Sequence, residues 1–169
     1  MLNMSQEKKY WAFLVLLGVS LEVIALYYQY ALGEWPCVLC IHIRIWIMAF
    51  IITAIVALLL PQKPAACRCL HLVNSVIMLG FVERSWQVLA VERGWIFADC
   101  NLDSGLPDWF TLDRWFPALF EVQTSCGYTP IIFFNISMAE ILMLLSAVLL
   151  LMSAWLTIKS FVRPADDCG

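Results

Sequence analysis

Charge is scarce in this chain. Lys, Arg, Asp and Glu make up 14% of its 169 residues, where soluble domains carry about a quarter. Hydrophobic residues make up 63%. Those proportions exclude an ordinary soluble domain and point to one integral-membrane domain over residues 1–169. Internal repeats, low-complexity tracts and interdomain linkers are missing as well. So is a small-x-small cleavage site after the first apolar segment. That segment is also too long for a signal peptide and contains Glu22, so it is expected to remain as a membrane span. The net charge is only −3, and no nucleic-acid partner is expected.

Apolar runs are what the chain does have, at about 10–32, 41–60, 70–91 and 131–158. Each matches the roughly 20 helical residues that cross a hydrocarbon core. The expected fold is an all-α, four-transmembrane-helix bundle in the lipid bilayer, with loops at about 33–40 and 92–130. Four spans put both termini on one side. Lys8, Lys9, Lys63, Arg68, Lys159 and Arg163 collect on that side, and only Arg93 and Arg114 on the other. The positive-inside rule makes the first side cytoplasmic. Cys37, Cys40, Cys100 and Cys126 then lie toward an oxidising compartment, where disulfides persist. Cys67, Cys69 and Cys168 face the reducing side.

The stretch Trp35-Pro36-Cys37-Val38-Leu39-Cys40-Ile41-His42-Ile43-Arg44 opens the second span. Pro36 fits the first position of a helix. A helix starting there puts Cys37, Cys40 and Arg44 at i, i+3 and i+7, on one face. The positive end of its dipole favours a thiolate in the first turn. Arg44 then sits about 6 Å deeper than Cys40, at 1.5 Å per residue. It could snorkel to head groups or hold a ligand oxygen beside the Cys40 sulfur. Taken alone, the pair could be redox-active, metal-binding or idle.

Other polar residues in the spans are few. Glu22 is expected to face the bundle and be paired or protonated. The third span, with Asn74, Ser75, Glu83, Arg84, Ser85 and Gln87, should face inward and is the second choice for lining a binding site. Its adjacent Glu83 and Arg84 should point to different faces and find different partners. Cys67-Arg68-Cys69 has only His71 nearby, too few ligands for zinc, so no metal site is expected. The long loop carries an amphipathic stretch over 106–120, with Trp109, Leu112, Trp115, Phe116 and Leu119 at helical spacing, which suits a short interfacial helix. A bridge closing a loop of about 25 residues, as between Cys100 and Cys126, would stabilise it by about 3.5 kcal/mol in the chain-entropy model. Two cysteine pairs on one side suggest a thiol–disulfide relay.

The combination resembles the DsbB family, bacterial inner-membrane oxidases that use quinone to re-oxidise the periplasmic dithiol protein DsbA. The matching residues are Leu21-Glu22, Pro36-Cys37-Val38-Leu39-Cys40, Arg44, Phe97-Ala98-Asp99-Cys100, Pro107-Asp108-Trp109, Leu112-Asp113-Arg114-Trp115, Pro117, Phe120 and Cys126. The resemblance implies redox-active disulfides Cys37–Cys40 and Cys100–Cys126. It also implies ubiquinone or menaquinone as acceptor and a DsbA-like periplasmic thioredoxin-fold protein as partner. DsbA is itself a strong oxidant, so its re-oxidation takes a stronger acceptor than an ordinary thiol pair. By resemblance, Cys100 forms the mixed disulfide with the partner, and electrons pass to Cys37–Cys40. The Cys40 thiolate then engages the quinone, with Arg44 bonding a quinone oxygen. The region around Val91-Glu92-Arg93 departs from the family's pattern. Cys67, Cys69 and Cys168 lie outside that pattern and are expected to be dispensable. The competing readings are a non-catalytic four-helix membrane protein with a structural loop disulfide, and an outward-facing thiol reductase.

Overall fold

The computed structural model describes residues 4–60, 64–97, 104–133 and 135–162. Four long helices make up the body: α1 Met4–Ala31, α2 Val38–Leu59, α3 Pro64–Glu92 and α6 Met138–Val162. All four are long and apolar enough to cross a membrane. Short elements precede α6: single turns α4 Leu112–Trp115 and α5 Pro117–Phe120, and strands β1 Ile131–Phe133 and β2 Ile136–Ser137. In the bundle α1 packs on α2, α2 on α3, and α3 on α6. Both described chain ends lie at one end of the bundle, here the terminal end. The short elements lie at the other, the loop end.

The helices are inside-out relative to a soluble bundle. Leu16, Val23, Ile52, Leu59, Val76, Leu79, Leu144 and Leu151 are exposed, whereas Asn74, Ser85, Ser146 and Ser153 are fully buried. Lipid takes the apolar faces, and polar groups find partners within the bundle. Besides Ala90, the buried residues of α3 are Cys67, His71, Asn74, Met78, Phe81, Ser85 and Val88. Their alternating spacing of four and three draws one stripe along the helix. Across the α3–α6 seam, Asn74 Nδ2 donates to Ser153 Oγ at 3.0 Å, and the Ser75 hydroxyl lies 2.9 Å from that of Ser153 and 2.8 Å from that of Thr157. Small side chains there let the helices approach closely.

Four expectations need correction. The helices overrun the apolar runs: α1 begins at Met4 and α3 at Pro64, and α6 runs on to Val162. Polar interfacial turns continue a helix once its backbone bonds are established. Strands β1 and β2 pair antiparallel where the start of the fourth span was expected. A capping box sets the true start: the Glu140 amide donates to Ser137 Oγ at 3.3 Å and the Ser137 amide to Glu140 Oε2 at 3.0 Å. The amphipathic stretch is two turns rather than one helix, because Phe116, at φ −136 and ψ 66, breaks the helical path just before Pro117. Glu83 and Arg84 pair with each other, Arg84 Nε lying 3.1 Å from Glu83 Oε2. Their stems are long enough to curl together over the helix surface, and Gln87, one turn on, bonds both.

Two glycines set the closest helix approaches. A Cβ on Gly18 would clash with Ile51, and one on Gly80 would come within 2.5 Å of the Trp46 ring. Gly80→Ala should therefore destabilise the bundle by about 1–3 kcal/mol despite alanine's better helix propensity. Unfolding in mixed detergent reads this directly, and an unchanged or raised midpoint would refute the packing as described.

Candidate functional site

Helix α2 begins at Val38, one residue past Cys37. Pro36 therefore lies outside the helix, and Cys37 is the N-cap, with extended backbone angles (φ −85, ψ 169). Its sulfur accepts the Cys40 amide at 3.4 Å, a capping role usually taken by an oxygen. The two sulfurs stand 3.0 Å apart as free thiols. Cys37 is held by a second segment too: it bridges Thr124, and the Gln123 amide donates to the Pro36 carbonyl at 3.0 Å.

The Cys40 thiol, bonded to Cys37, draws the Cys37 pKa from 9.0 down to about 7, outweighing burial, which acts the other way. The amides of the first turn add to the lowering.

Arg44 does not snorkel. It is 5% exposed, and its guanidinium donates to Gln29 Oε1 at 2.7 Å, the Leu119 carbonyl at 2.8 Å and the Ala25 carbonyl at 3.2 Å. Three of the five N–H donors of the fork are thus used and two remain. Other contacts lay the loop over the same end. Tyr30 Oη donates to the Ala118 carbonyl at 2.6 Å, His42 Nε2 lies 2.8 Å from the Ser104 carbonyl, and Phe120 is buried.

Two cavities meet at the cysteine pair. The larger, about 180 Å³, has Cys40 and Arg44 in a wall otherwise built largely from Leu21, Ile24, Ile43, Ile47, Ile141 and Leu142. A cavity of roughly 150 Å³ accepts benzene, so this one has room for a single substituted ring. The smaller cavity has Cys37 and Cys126 in the same wall. Cys126 is disulfide-bonded. Cys100 lies outside the described residues, as does Cys168.

The structure brings Cys37, Cys40, Arg44 and Cys126 to one end of the bundle. Sequence reasoning missed the rest of the large cavity's wall, Tyr128–Pro130, Ile132 and the first turn of α6. The Ser137-x-x-Glu140 capping signal would have placed that turn. The third span was expected to line a site but contributes only Val88 to the large cavity. Val91, Glu92 and Arg93 are not in its wall either. Glu92 instead accepts a bond from Thr129, and Arg93 pairs with Glu140. Glu22 has its Oε1 buried with no hydrogen-bond partner among the described residues.

The sequence matches the family model described as "Disulfide bond formation protein DsbB" over residues 7–156. A "Disulfide bond formation protein B" of Shewanella frigidimarina is 32% identical over 142 residues, 79% of this chain and 80% of that one. A protein of the same name from Yersinia enterocolitica is 24% identical over 95% of this chain and 91% of its own. "Disulfide bond formation protein B 2" of Pseudomonas aeruginosa is 28% identical over 72% and 73%.

The lowered Cys37 pKa sets a pH dependence. Below it the sulfur keeps its proton and is inert; above it the thiolate predominates. In the reduced protein, thiolate ultraviolet absorbance should rise with a midpoint near pH 7 rather than 9. Cys40→Ala, which removes the donor, should move that midpoint upward. A midpoint unmoved by the substitution would show that Cys40 is not the cause.

Proposed function

This chain belongs to the DsbB family, and from that premise we propose that it is a thiol:quinone oxidoreductase of the bacterial inner membrane. It re-oxidises a DsbA-like periplasmic thioredoxin-fold protein, so supporting disulfide formation. The observation that carries the reading is the position of the Cys37–Cys40 pair between two cavities. Cys40 lines a ring-sized, mostly apolar chamber with Arg44, and Cys37 shares a wall with Cys126.

The proposed route is two disulfide exchanges followed by one oxidation. A thiolate of the reduced partner attacks Cys100 of a Cys100–Cys126 disulfide, releasing the Cys126 thiolate. The partner's second thiol then displaces Cys100, and the partner leaves oxidised. Cys126 attacks Cys37 of the Cys37–Cys40 disulfide and releases Cys40. Cys100 attacks Cys126, and Cys37 departs as a thiolate. The lowered Cys37 pKa favours that departure, because a more acidic thiol leaves faster. The loop disulfide is thereby restored, and two electrons reside on Cys37 and Cys40.

A quinone bound in the large cavity supplies an acceptor for two electrons and two protons. The residues present fit such a group. The wall is apolar, Cys40 is part of it, and Arg44 has two N–H donors left for an oxygen. In this reading Arg44 orients the oxygen and Cys40 presents its sulfur. The bilayer orientation follows from the lysines and arginines: termini cytoplasmic, cysteine pairs periplasmic.

The test is quinone absorbance after mixing with reduced partner. Cys37→Ser, Cys40→Ser, Cys100→Ser and Cys126→Ser should each reduce turnover to background. Full turnover in Cys40→Ser would falsify the route. It would leave a four-helix protein whose loop bridge is structural. Arg44→Ala removes a charged hydrogen-bond donor, for which the loss is about 1.5–3 kcal/mol. Its KM for quinone should rise by one to two powers of ten, with much less change in the KM for partner.

A further inference from the structure

Three ligand-type side chains that the redox route does not use meet at the terminal end of the bundle. They are Glu7 on α1 and Cys67 and His71 on α3. One donor atom from each lies within 4.8 Å of the others, and Cys67 and His71 are buried. The cluster is about 33 Å along α1 from Gln29, at 1.5 Å per residue, so it is separate from the Cys37–Cys40 site.

The ordinary interpretation is a core histidine satisfied by a carboxylate, since His71 Nε2 lies 3.1 Å from Glu7 Oε2. Two observations go beyond it. His71 is 1% exposed, yet its Nδ1 has no hydrogen-bond partner among the described residues, so the ring has bonding capacity left over. A thiol lies within the same small volume, one helical turn before His71. The ring is also held in place, stacked on Trp11 with centroids 5.0 Å apart and flanked by Tyr10.

We propose that Glu7, Cys67 and His71 bind a divalent metal ion of the Zn2+ class. Thiolate, imidazole and carboxylate together suit zinc, which accepts sulfur, nitrogen and oxygen without a geometric preference of its own. The unpartnered Nδ1 is the ring nitrogen free to take the ion, while Nε2 stays against the Glu7 carboxylate, which holds the ring in place. Three protein ligands leave a fourth position for water. On binding, Cys67 gives up its thiol proton to solvent and the sulfur becomes the ligand. Because α1 packs chiefly on α2, the ion would add a tie from α1 to α3. In the sequence alone Cys67, Cys69 and His71 are too few for a metal site. Folding changes the set: it brings in Glu7 from the other helix, while Cys69, two residues past Cys67, points to another face and is exposed.

The experiment uses the full chain in detergent, reduced, in a background with Cys37, Cys40, Cys100 and Cys126 all changed to serine, so that the redox thiols offer no sulfur. Co2+ is the spectroscopic probe and Zn2+ the competitor. The expected result is one equivalent of Co2+ with a sulfur-to-cobalt charge-transfer band that Zn2+ displaces. Cys67→Ser should abolish the band and Cys69→Ser should keep it. Glu7→Gln and His71→Gln should weaken binding by at least about tenfold, a loss typical even of a metal ligand's supporting partner. Zn2+ should also raise the unfolding temperature of the background protein and not that of Cys67→Ser. That comparison separates loss of the site from loss of the fold. No band in the background protein, or a band that survives Cys67→Ser, overturns the proposal. The quinone assay is read separately, so either conclusion can fail alone.

Discussion

A guanidinium buried within the first two turns of a membrane helix has to find oxygen, and the loop end is arranged around that need. An unpaired charge in so apolar a place would be strongly destabilising. Among the described residues Arg44 has no ion-pair partner within salt-bridge distance. Its acceptors are the amide oxygen of Gln29 and two main-chain carbonyls, Ala25 and Leu119. Two of these lie on α1 and one on the loop, so one side chain fixes the mutual position of three segments. Gln29 extends the set by donating to Gln123 Oε1. Gln123 in turn sits against Pro36 and so beside Cys37. Arg44 thus shares the docking of the loop beside the thiol pair with Tyr30, His42 and the Cys37–Thr124 bridge.

That arrangement separates the two thiols by task. Cys40 lies on the side of Arg44 and the large chamber, and Cys37 on the side of Cys126. A CxxC pair at a helix start has this property because its second cysteine is in the first turn and its first can be the cap. In the proposed route the disulfide partner and the lipid-borne acceptor thus approach from different directions and do not compete for one sulfur. The chamber's wall is mostly apolar, which suits an acceptor carried in lipid.

Much of this was legible in the sequence. The four spans are, because lipid imposes a length of continuous apolar chain that few other structures need. So is the association of Cys37, Cys40 and Arg44, because helix spacing is local. What could not be read depends on pairs far apart in the chain. Glu7 and His71 meet across two helices, and nothing near either residue announces the other. The wall at 128–132 is hidden because strands that short have no alternating pattern long enough to detect. Ser137 and Glu140 did carry a signal, but the apolar run on either side masked it. The Phe116–Pro117 break was visible in principle, since proline restricts the residue before it. Glu83 and Arg84 show where helical geometry misleads: adjacent positions diverge at Cβ, yet long stems can still meet.

The way the loop is fastened explains why its docking left so little trace. Ser104, Ala118 and Leu119 contribute carbonyl oxygens, and His42, Tyr30 and Arg44 meet them from the helices. A main-chain oxygen is present whatever the side chain, so the specificity resides in the helix residues and the loop sequence has little need to encode it. Bonds of this kind contribute about 1 kcal/mol each, more where the donor is charged. The seam between α3 and α6 is different, with side chains of Asn74, Ser75, Ser153 and Thr157 locked to one another in the interior. One end of the molecule is thus held by interlocked side chains, the other largely by separable contacts to the backbone. A loop held in that second way can be displaced by an incoming protein and reset without repacking the core beneath it, which is what repeated disulfide exchange demands.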